Sequence, residues 1–597
     1  MSETLNMRHV PDKNLVKEVV GDATYPITAS WFKDRFTSKE WDGALDEFRS
    51  QGGDTVWLRA PQVVIRSKED LQRDPSFVWC GSYNSSTGVL GKKCYDEAEE
   101  ELSAKGLNVT TFLTFNYEEN FSDALLMCPE YDRRIESSRI YYRIVLSLVK
   151  LDESAPCKIP ANTPVAVMFT SFAGTDPHEL LVASAAKRNM SVYFGLPAFP
   201  SQAGVGFATE LAEAYYTWVY RMLMEQKQRY SQPVSPLSTK SRFLPTYNTV
   251  VGYYSTDECC LGQVTSNSMF LDLYKRLGLV VHNFDKLFVI SPYVNLNMAM
   301  VNLTKEQHVA GFELVAQVGV IDVIAVQEGR GAGKGCYYWD TERDLRVEDV
   351  DPVLDKVIHY INPTIKKGVT YREAFTSSNQ EVFRAFSEVR DNMVKSGNRF
   401  EFWLNVEAFE YLRDDPCLPV DIQGSGMAEL LDRTCKARID RALTVAGAFT
   451  QKIISFAWDS DYTCVSNNYN ESLAATIRQN INQPIVSNCS FHSENNQSVV
   501  IIGYNLAGLM QTFEVDYPTR DGKREHCELY GYYFELDYGI QHDRVSSLEY
   551  TQLYDVPDVF TNLSPKGYVK VQPKGSNNYC IFVYDYGILS NHKTYRK

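Results

Sequence analysis

Four apolar runs in this chain stop at acids. VVGYY is followed by Ser255-Thr256-Asp257-Glu258, and DVIAV by Gln327-Glu328. Asn405-Val406-Glu407 closes RFEFWLNVE, and Trp458-Asp459 closes QKIISFAWD. Paired carboxyls are the usual equipment for glycosidic bond cleavage: one, protonated, assists the leaving oxygen, and the other, ionised, attacks the anomeric carbon or activates water. Crowding acids together splits their pKa values and makes the two roles compatible. The plainer alternative for any one of them is a carboxylate that caps a helix or ties down a loop.

The second of these stretches, AVQEGRGAGKG (325–335), has the look of a phosphate-binding loop. A Walker loop needs four residues between its first glycine and the Gly-Lys pair, then Ser or Thr for magnesium. Here Gly329 and Gly333 enclose three residues and Gly335 stands where the hydroxyl belongs, so the phosphate reading fails. Lys334 reads instead as a solvated loop residue. A uronate or sulfate bound with Arg330 is the minor alternative.

What must position these acids is an alternation of strands and helices. Candidate strands are YPITASWF (25–32), DTVWLRA (54–60), SVYFGLPAF (191–199), NTVVGYYSTDE (248–258), KLFVISPY (286–293), VIDVIAVQEG (320–329), RFEFWLNVEAF (399–409) and QKIISFAWDSD (451–461). Between them run helical periods, among them SKEWDGALDEFRSQG, with Trp41, Leu45 and Phe48 on one face and Ser38 as N-cap, and MAELLDRTCKARIDRALTVAG. Eight strand–helix units are the number that closes a (β/α)8 TIM barrel. Residues 1–484 read as that barrel, with its core in 22–60 and 178–482 and an insertion over 61–177 after the second strand. From 485 to 597 the texture changes to short aromatic strands and turns, which reads as an all-β sandwich.

In such a barrel the reactive groups sit at the C-terminal ends of the strands. Strands four and seven face each other across the mouth, which selects Glu258 as acid/base and Glu407 as nucleophile of a retaining glycoside hydrolase acting on a poly- or oligosaccharide. Asn405, Gln327, Glu328, Asp257 and Asp459 are candidate polar contacts to the substrate. Tyr253, Tyr293, Trp31 and Trp458, with Tyr337 and Trp339, are candidate stacking platforms, since aromatic faces suit the C–H faces of sugars. The alternative is a carbohydrate-binding protein that has no chemistry on the same scaffold. Nine histidines without HxH or HExxH spacing argue against a metal hydrolase, and no cofactor is implied.

The segments ITASWF, GYYSTDE, ISPY, DVIAVQEG, FWLNVEAFE and IISFAWD, in this order, resemble the strand-end motifs of a glycoside-hydrolase-like barrel family known as domain of unknown function 4434. The resemblance covers roughly 22 to 482. It implies the same roles for Glu258 and Glu407, and places Asn405 on the pocket side. The sixth-strand motif reads Gln-Glu-Gly where that family has Gln-Asp-Gly, and Asp257 beside Glu258 leaves open which carboxyl points inward.

Bulk properties narrow the partners. The 75 acidic against 60 basic residues give a net charge of -15, which repels nucleic acid and anionic membranes. No apolar run reaches the roughly 18 to 20 residues of a membrane span. MSETLNMRHV lacks a signal-peptide core. Thirteen cysteines, with Cys80 and Cys94 flanking a turn-rich segment that a disulfide would staple, and nine N-x-S/T sequons favour a secreted or lumenal protein, with a cytoplasmic one as alternative. Nothing in the sequence fixes an oligomeric state.

Overall fold

In the computed structural model, described over residues 24–74, 93–136, 139–152, 154–202, 206–231, 246–417, 431–492, 498–507, 511–553 and 562–585, eight parallel strands close a barrel. They are Ala29–Phe32, Thr55–Leu58, Ser191–Leu196, Val250–Ser255, Leu287–Ile290, Val323–Gln327, Glu401–Glu407 and Lys452–Phe456, called strands one to eight below. Each pairs with its sequence neighbours, and strand eight closes on strand one through Ala29 opposite Ile454. Each of the eight candidate strands in the sequence contains one of them.

Strand alternation explains the two-sided burial. On strand seven, Phe402, Leu404 and Val406 face the surrounding helices in the main core, while Trp403 points into the barrel. The lumen is filled by Trp31, Trp57, Tyr193, Tyr254 and Trp403 among smaller apolar side chains. Trp31 meets Trp57 edge-on at 4.5 Å between ring centroids, and Trp57 stacks on Tyr254 at 5.0 Å. Asn405 and Glu407 continue the inward face of Trp403 toward the C-terminal mouth.

The helices dock by their apolar stripes. Ser38–Arg49 buries Trp41, Leu45 and Phe48 as its period requires. Its cap is Thr37, one residue before the expected Ser38: the Thr37 hydroxyl accepts from the Glu40 N–H at 3.2 Å. Within the described part of the helix expected over 427–447, which begins at 431, the helix runs over Lys436–Ala446, because Asp432–Arg433 pairs in extended conformation with Phe409–Glu410.

The insertion forms its own five-stranded sheet in the order Gln62–Arg66, Asn108–Asn116, Pro164–Phe172, Ile140–Ser147, Arg133–Glu136. One face buries Phe112, Val145 and Phe169 with helix Cys94–Ala104; the other buries Phe115, Tyr142 and Met168 with the main core. Cys128–Cys157 ties this segment together. Cys94 is disulfide-bonded, while Cys80, the partner expected for it, and the sequon residues Asn84 and Asn496 lie outside the described residues.

A separate antiparallel sheet of seven strands follows the barrel. Its first strand, Ile485–Phe491, and its last, Cys580–Asp585, are joined by the Cys489–Cys580 disulfide, so the sheet folds over a shared core that includes Val499, Phe513 and Val571. It is anchored on helix Lys436–Ala446: the Ser487 hydroxyl donates to the Leu443 carbonyl at 2.7 Å.

Candidate active site

The mouth of the barrel gathers side chains from strands four, five, six and seven. Strand seven ends in Asn405 and Glu407, both nearly buried. The Asn405 amide donates to the Ser291 hydroxyl at 3.1 Å, and Ser291 in turn donates to the Ala325 carbonyl at 3.0 Å. Gln327 lies opposite Asn405 in register and donates to the Ser291 carbonyl at 2.9 Å. These bonds lock the polar floor in place across three strands.

Glu407 is held by the loop after strand six. Its Oε2 accepts from the Ala332 backbone N–H at 2.9 Å, and its own N–H donates to Glu328 at 3.3 Å. Burial pushes its carboxyl up to about 7; the negative Glu328 adds to this, while the Ala332 N–H, Lys334 and Arg330 oppose it. Glu258 follows strand four and is open to solvent in the mouth, yet crowded by protein on its remaining sides. That crowding raises its carboxyl to about 7, against a hydrogen bond from Gln327 and the charge of Lys334, with Asp257 adding to the rise. Lys334 therefore opposes the rise of both glutamates.

Asp257 turns away from the mouth. Its carboxylate accepts from the Phe199 N–H at 3.0 and 3.2 Å, tying the loop after strand three, and burial raises it to about 6. Of the two adjacent acids, Glu258 is thus the accessible one, and Asp257 is corrected from substrate contact to loop tie. Glu328 is corrected likewise. It is wholly buried, accepts from the Arg330 and Glu407 N–H groups, and lies 3.8 Å from the Arg330 guanidinium, so it braces Glu407 from behind.

Three other expected contacts sit elsewhere because one residue of register decides which face a strand presents. Tyr253 points outward into the helical layer and donates to Gln226 at 2.8 Å; its neighbour Tyr254 is the inward ring. Trp458 stacks between Phe32 and Tyr462 in the main core. Asp459 pairs with Arg35 and accepts from the Lys33 N–H at 2.8 Å, tying strand eight to strand one. Trp31 faces the lumen beneath the mouth but is 3% exposed, packed against Trp57, Tyr254 and Phe456. Tyr337 and Trp339 are buried, the latter against the C-terminal sheet. Tyr293, half-buried beside Gln327, is the expected platform that remains at the mouth.

Sequence reasoning passed over four participants. Ser291 was hidden in the ordinary-looking SPY; the Ala332 N–H carries no side-chain signal at all. Asp461, two residues beyond the expected Asp459, is raised to about 7 by burial, with its carboxylate accepting from the Ala457 N–H at 2.9 Å. Lys334 is half-buried, with its ammonium 4.1 Å from the Tyr293 ring centroid, and not a solvated loop residue. The glycine spacing that ruled out a phosphate loop is what delivers it: Gly329 and Gly333 adopt left-handed φ of 74° and 65°, which side chains disfavour. A Cβ on Gly331 would sit 2.2 Å from the Phe409 carbonyl and 3.0 Å from Glu407 Oε2.

Arg330 points out of the mouth. Its guanidinium donates to the carbonyls of Arg438 and Glu407, and lines a cavity of about 500 Å³ between the barrel and the C-terminal sheet. Among the described residues no group of three or more His, Cys, Asp or Glu could hold a metal ion, and no helix is long and apolar enough to cross a membrane.

Residues 66–172 match the model of a domain of unknown function, DUF8405. The match falls on the inserted sheet. It overturns the expected kinship of the barrel with domain of unknown function 4434, and no glycoside hydrolase family model matches. No curated protein matches the chain. Among solved structures, an engineered protein determined at 1.98 Å is 9% identical, covering 69% of this chain and 82% of its own, with a TM-score of 0.27. α-Galactosidase I from Mortierella vinacea is 10% identical, covering 65% and 83%, with a TM-score of 0.24. Likeness at that level carries no argument about function.

Proposed function

We propose that the protein is a retaining glycoside hydrolase in which Glu407 is the nucleophile and Glu258 the acid/base. The observation that carries this reading is the pair of glutamates from strands four and seven, both raised to about 7 and both within the field of Lys334 in one barrel mouth. Their surroundings suit different roles. Glu407 takes a backbone N–H on one oxygen, which favours and orients its ionised form. Glu258 is open to solvent and shielded by fewer donors, which favours holding a proton for the leaving oxygen. Tyr293 offers the ring on which a sugar would stack.

In this reading residues 22–60 and 178–482 form the catalytic barrel, 61–177 an insertion, and 485–597 an accessory β-sandwich. The disulfides Cys128–Cys157, Cys417–Cys464 and Cys489–Cys580, with a further one at Cys94, support a secreted or lumenal setting.

The test is release of reducing ends from a panel of polysaccharides and aryl glycosides by the wild type, Glu258→Gln and Glu407→Gln, with the first-formed anomer read by NMR. Hydrolysis with retention, lost in both variants, is the expected result. Inversion overturns the nucleophile assignment. A second reading, binding of carbohydrate without hydrolysis, draws on the 5% exposure of Glu407, which suits a bracing carboxylate as well as a reactive one. It requires glycan binding that survives both substitutions and no turnover anywhere on the panel.

A further inference from the structure

The cations of the mouth define the substrate class, an inference that rests on the glycosidase reading. The backbone of Lys334 is pinned on both sides: its N–H donates to the Gly329 carbonyl at 2.7 Å, and its carbonyl accepts from the Leu296 N–H at 2.7 Å. The loop is also tied at Gly331, whose carbonyl accepts from the Tyr411 N–H at 2.7 Å. From this fixed base the ammonium lies over Tyr293, and no carboxylate of the described residues comes within the 4.0 Å of an ion pair. Arg59, half-buried just beyond strand two, takes neither an ion pair nor a hydrogen bond from any described residue. It continues the inward face of Trp57, as Glu407 continues that of Trp403. Strands two and six stand four places apart in a ring of eight, so these cations approach the mouth from opposite sides.

Neither cation has a carboxylate at ion-pair distance among the described residues: Lys334 acts on Glu258 and Glu407, and Arg59 on Asp34 and Asp461, only at longer range, which leaves both able to take a direct anionic contact. Arg330, the other cation near this loop, is not available, being committed to two carbonyls in the wall. We infer that the glycan is acidic, and that Lys334 and Arg59 receive an anionic substituent, a uronate carboxylate or a sulfate ester, on sugars flanking the bond placed between Glu258 and Glu407. The net charge of -15 does not prevent this. Charges on the far surface are screened over about 8–10 Å, whereas the two mouth cations would contact the ligand directly.

The test measures kcat/KM for matched neutral, uronate-bearing and sulfated oligosaccharides with the wild type, Lys334→Met, Lys334→Arg and Arg59→Met. The inference expects the wild type to favour one acidic series over the neutral one, identifying carboxylate or sulfate, and expects that ratio to fall about tenfold or more in Lys334→Met and Arg59→Met. Lys334→Arg should recover most of it. A wild-type ratio near one, or a ratio that both methionine variants leave unchanged, overturns the inference while hydrolysis of the neutral series keeps the glycosidase reading. Binding of an acidic oligosaccharide that depends on Lys334, with no hydrolysis of any series, overturns the glycosidase reading and supports this one.

Discussion

Two carboxylate clusters in the molecule differ in what faces them. Where the inserted sheet meets the barrel, Glu119, Asp176 and Glu225 surround Arg229 at 2.5, 2.7 and 3.4 Å, with His178 3.5 Å from Glu119. Burial there would raise Glu119, but His178 and Arg229 outweigh it and hold the carboxyl down at about 2. At the mouth, no cation of the described residues stands within pairing distance of Glu258 or Glu407, and both are raised to about 7, chiefly by burial. The first cluster is neutralised and ties the insertion to the barrel; the second is left with charge to give or take. A raised carboxyl alone does not mark a site. Glu225 is also raised to about 7, by burial, but it is sealed in and accepts the Ser122 N–H at 2.7 Å. Glu258 differs in being both raised and reachable.

The largest effect expected is on turnover. Glu407→Gln should lower kcat to background, on the order of 10⁴-fold or more, with the circular dichroism spectrum unchanged. The matching change in the other cluster, Glu119→Gln, should do the reverse: it removes the shortest of the ion pairs to Arg229 and leaves those to Asp176 and Glu225, costing about 1.5–3 kcal/mol in denaturant unfolding, while protein that remains folded keeps its turnover. Were Glu119→Gln to abolish turnover at full stability, the distinction between the clusters would fail.

Glu258→Gln should cost about 10²–10⁴-fold on substrates with poor leaving groups and far less on activated aryl glycosides, which need no proton. With both glutamates near 7, kcat/KM of the wild type should be bell-shaped in pH around neutrality.

Stability should separate the clusters by pH. Below the ordinary value of 4.5 Glu407 is protonated whether the chain is folded or not; as pH rises through about 7 the folded state must carry a carboxylate that it disfavours. Glu407→Gln should therefore be more stable than wild type by roughly 2 kcal/mol above pH 7, a gap that closes below pH 4.5. Glu119 has the opposite sign: its contribution is complete above 4.5 and fades as pH falls toward 2. Smallest is Gly331→Ala, whose Cβ must displace the Phe409 carbonyl or the Glu407 carboxylate. It should cost about 1–3 kcal/mol and lower kcat more than it raises KM.

The barrel was legible because each strand is an apolar run of four to seven residues bounded by polar turns, and because a helical period separates most of them. Strands Ile485–Phe491 and Glu549–Leu553 were not, since polar residues alternate through them and one side faces water. Glu258 and Glu407 were reached by counting strands, which needs only their order. Choosing between Tyr253 and Tyr254, or Asp459 and Asp461, needs the local twist and the exact residue at which a strand ends. Lys334 was seen and set aside, because its position depends on loop hydrogen bonds to Gly329 and Leu296 that no spacing rule encodes. The resemblance to domain of unknown function 4434 rested on short motifs that any strand ending in Glu or Asp can supply, and the family model matches the insertion instead.

The most direct measurement is covalent trapping. The wild type is incubated with an activated fluorosugar of whichever monosaccharide the panel selects, and the modified peptide is sequenced by mass spectrometry. The account predicts one sugar ester, on Glu407, formed more slowly when Ala332 is shifted by Gly331→Ala. An ester on Glu258 or any other side chain, or undiminished turnover in Glu407→Gln, would contradict it.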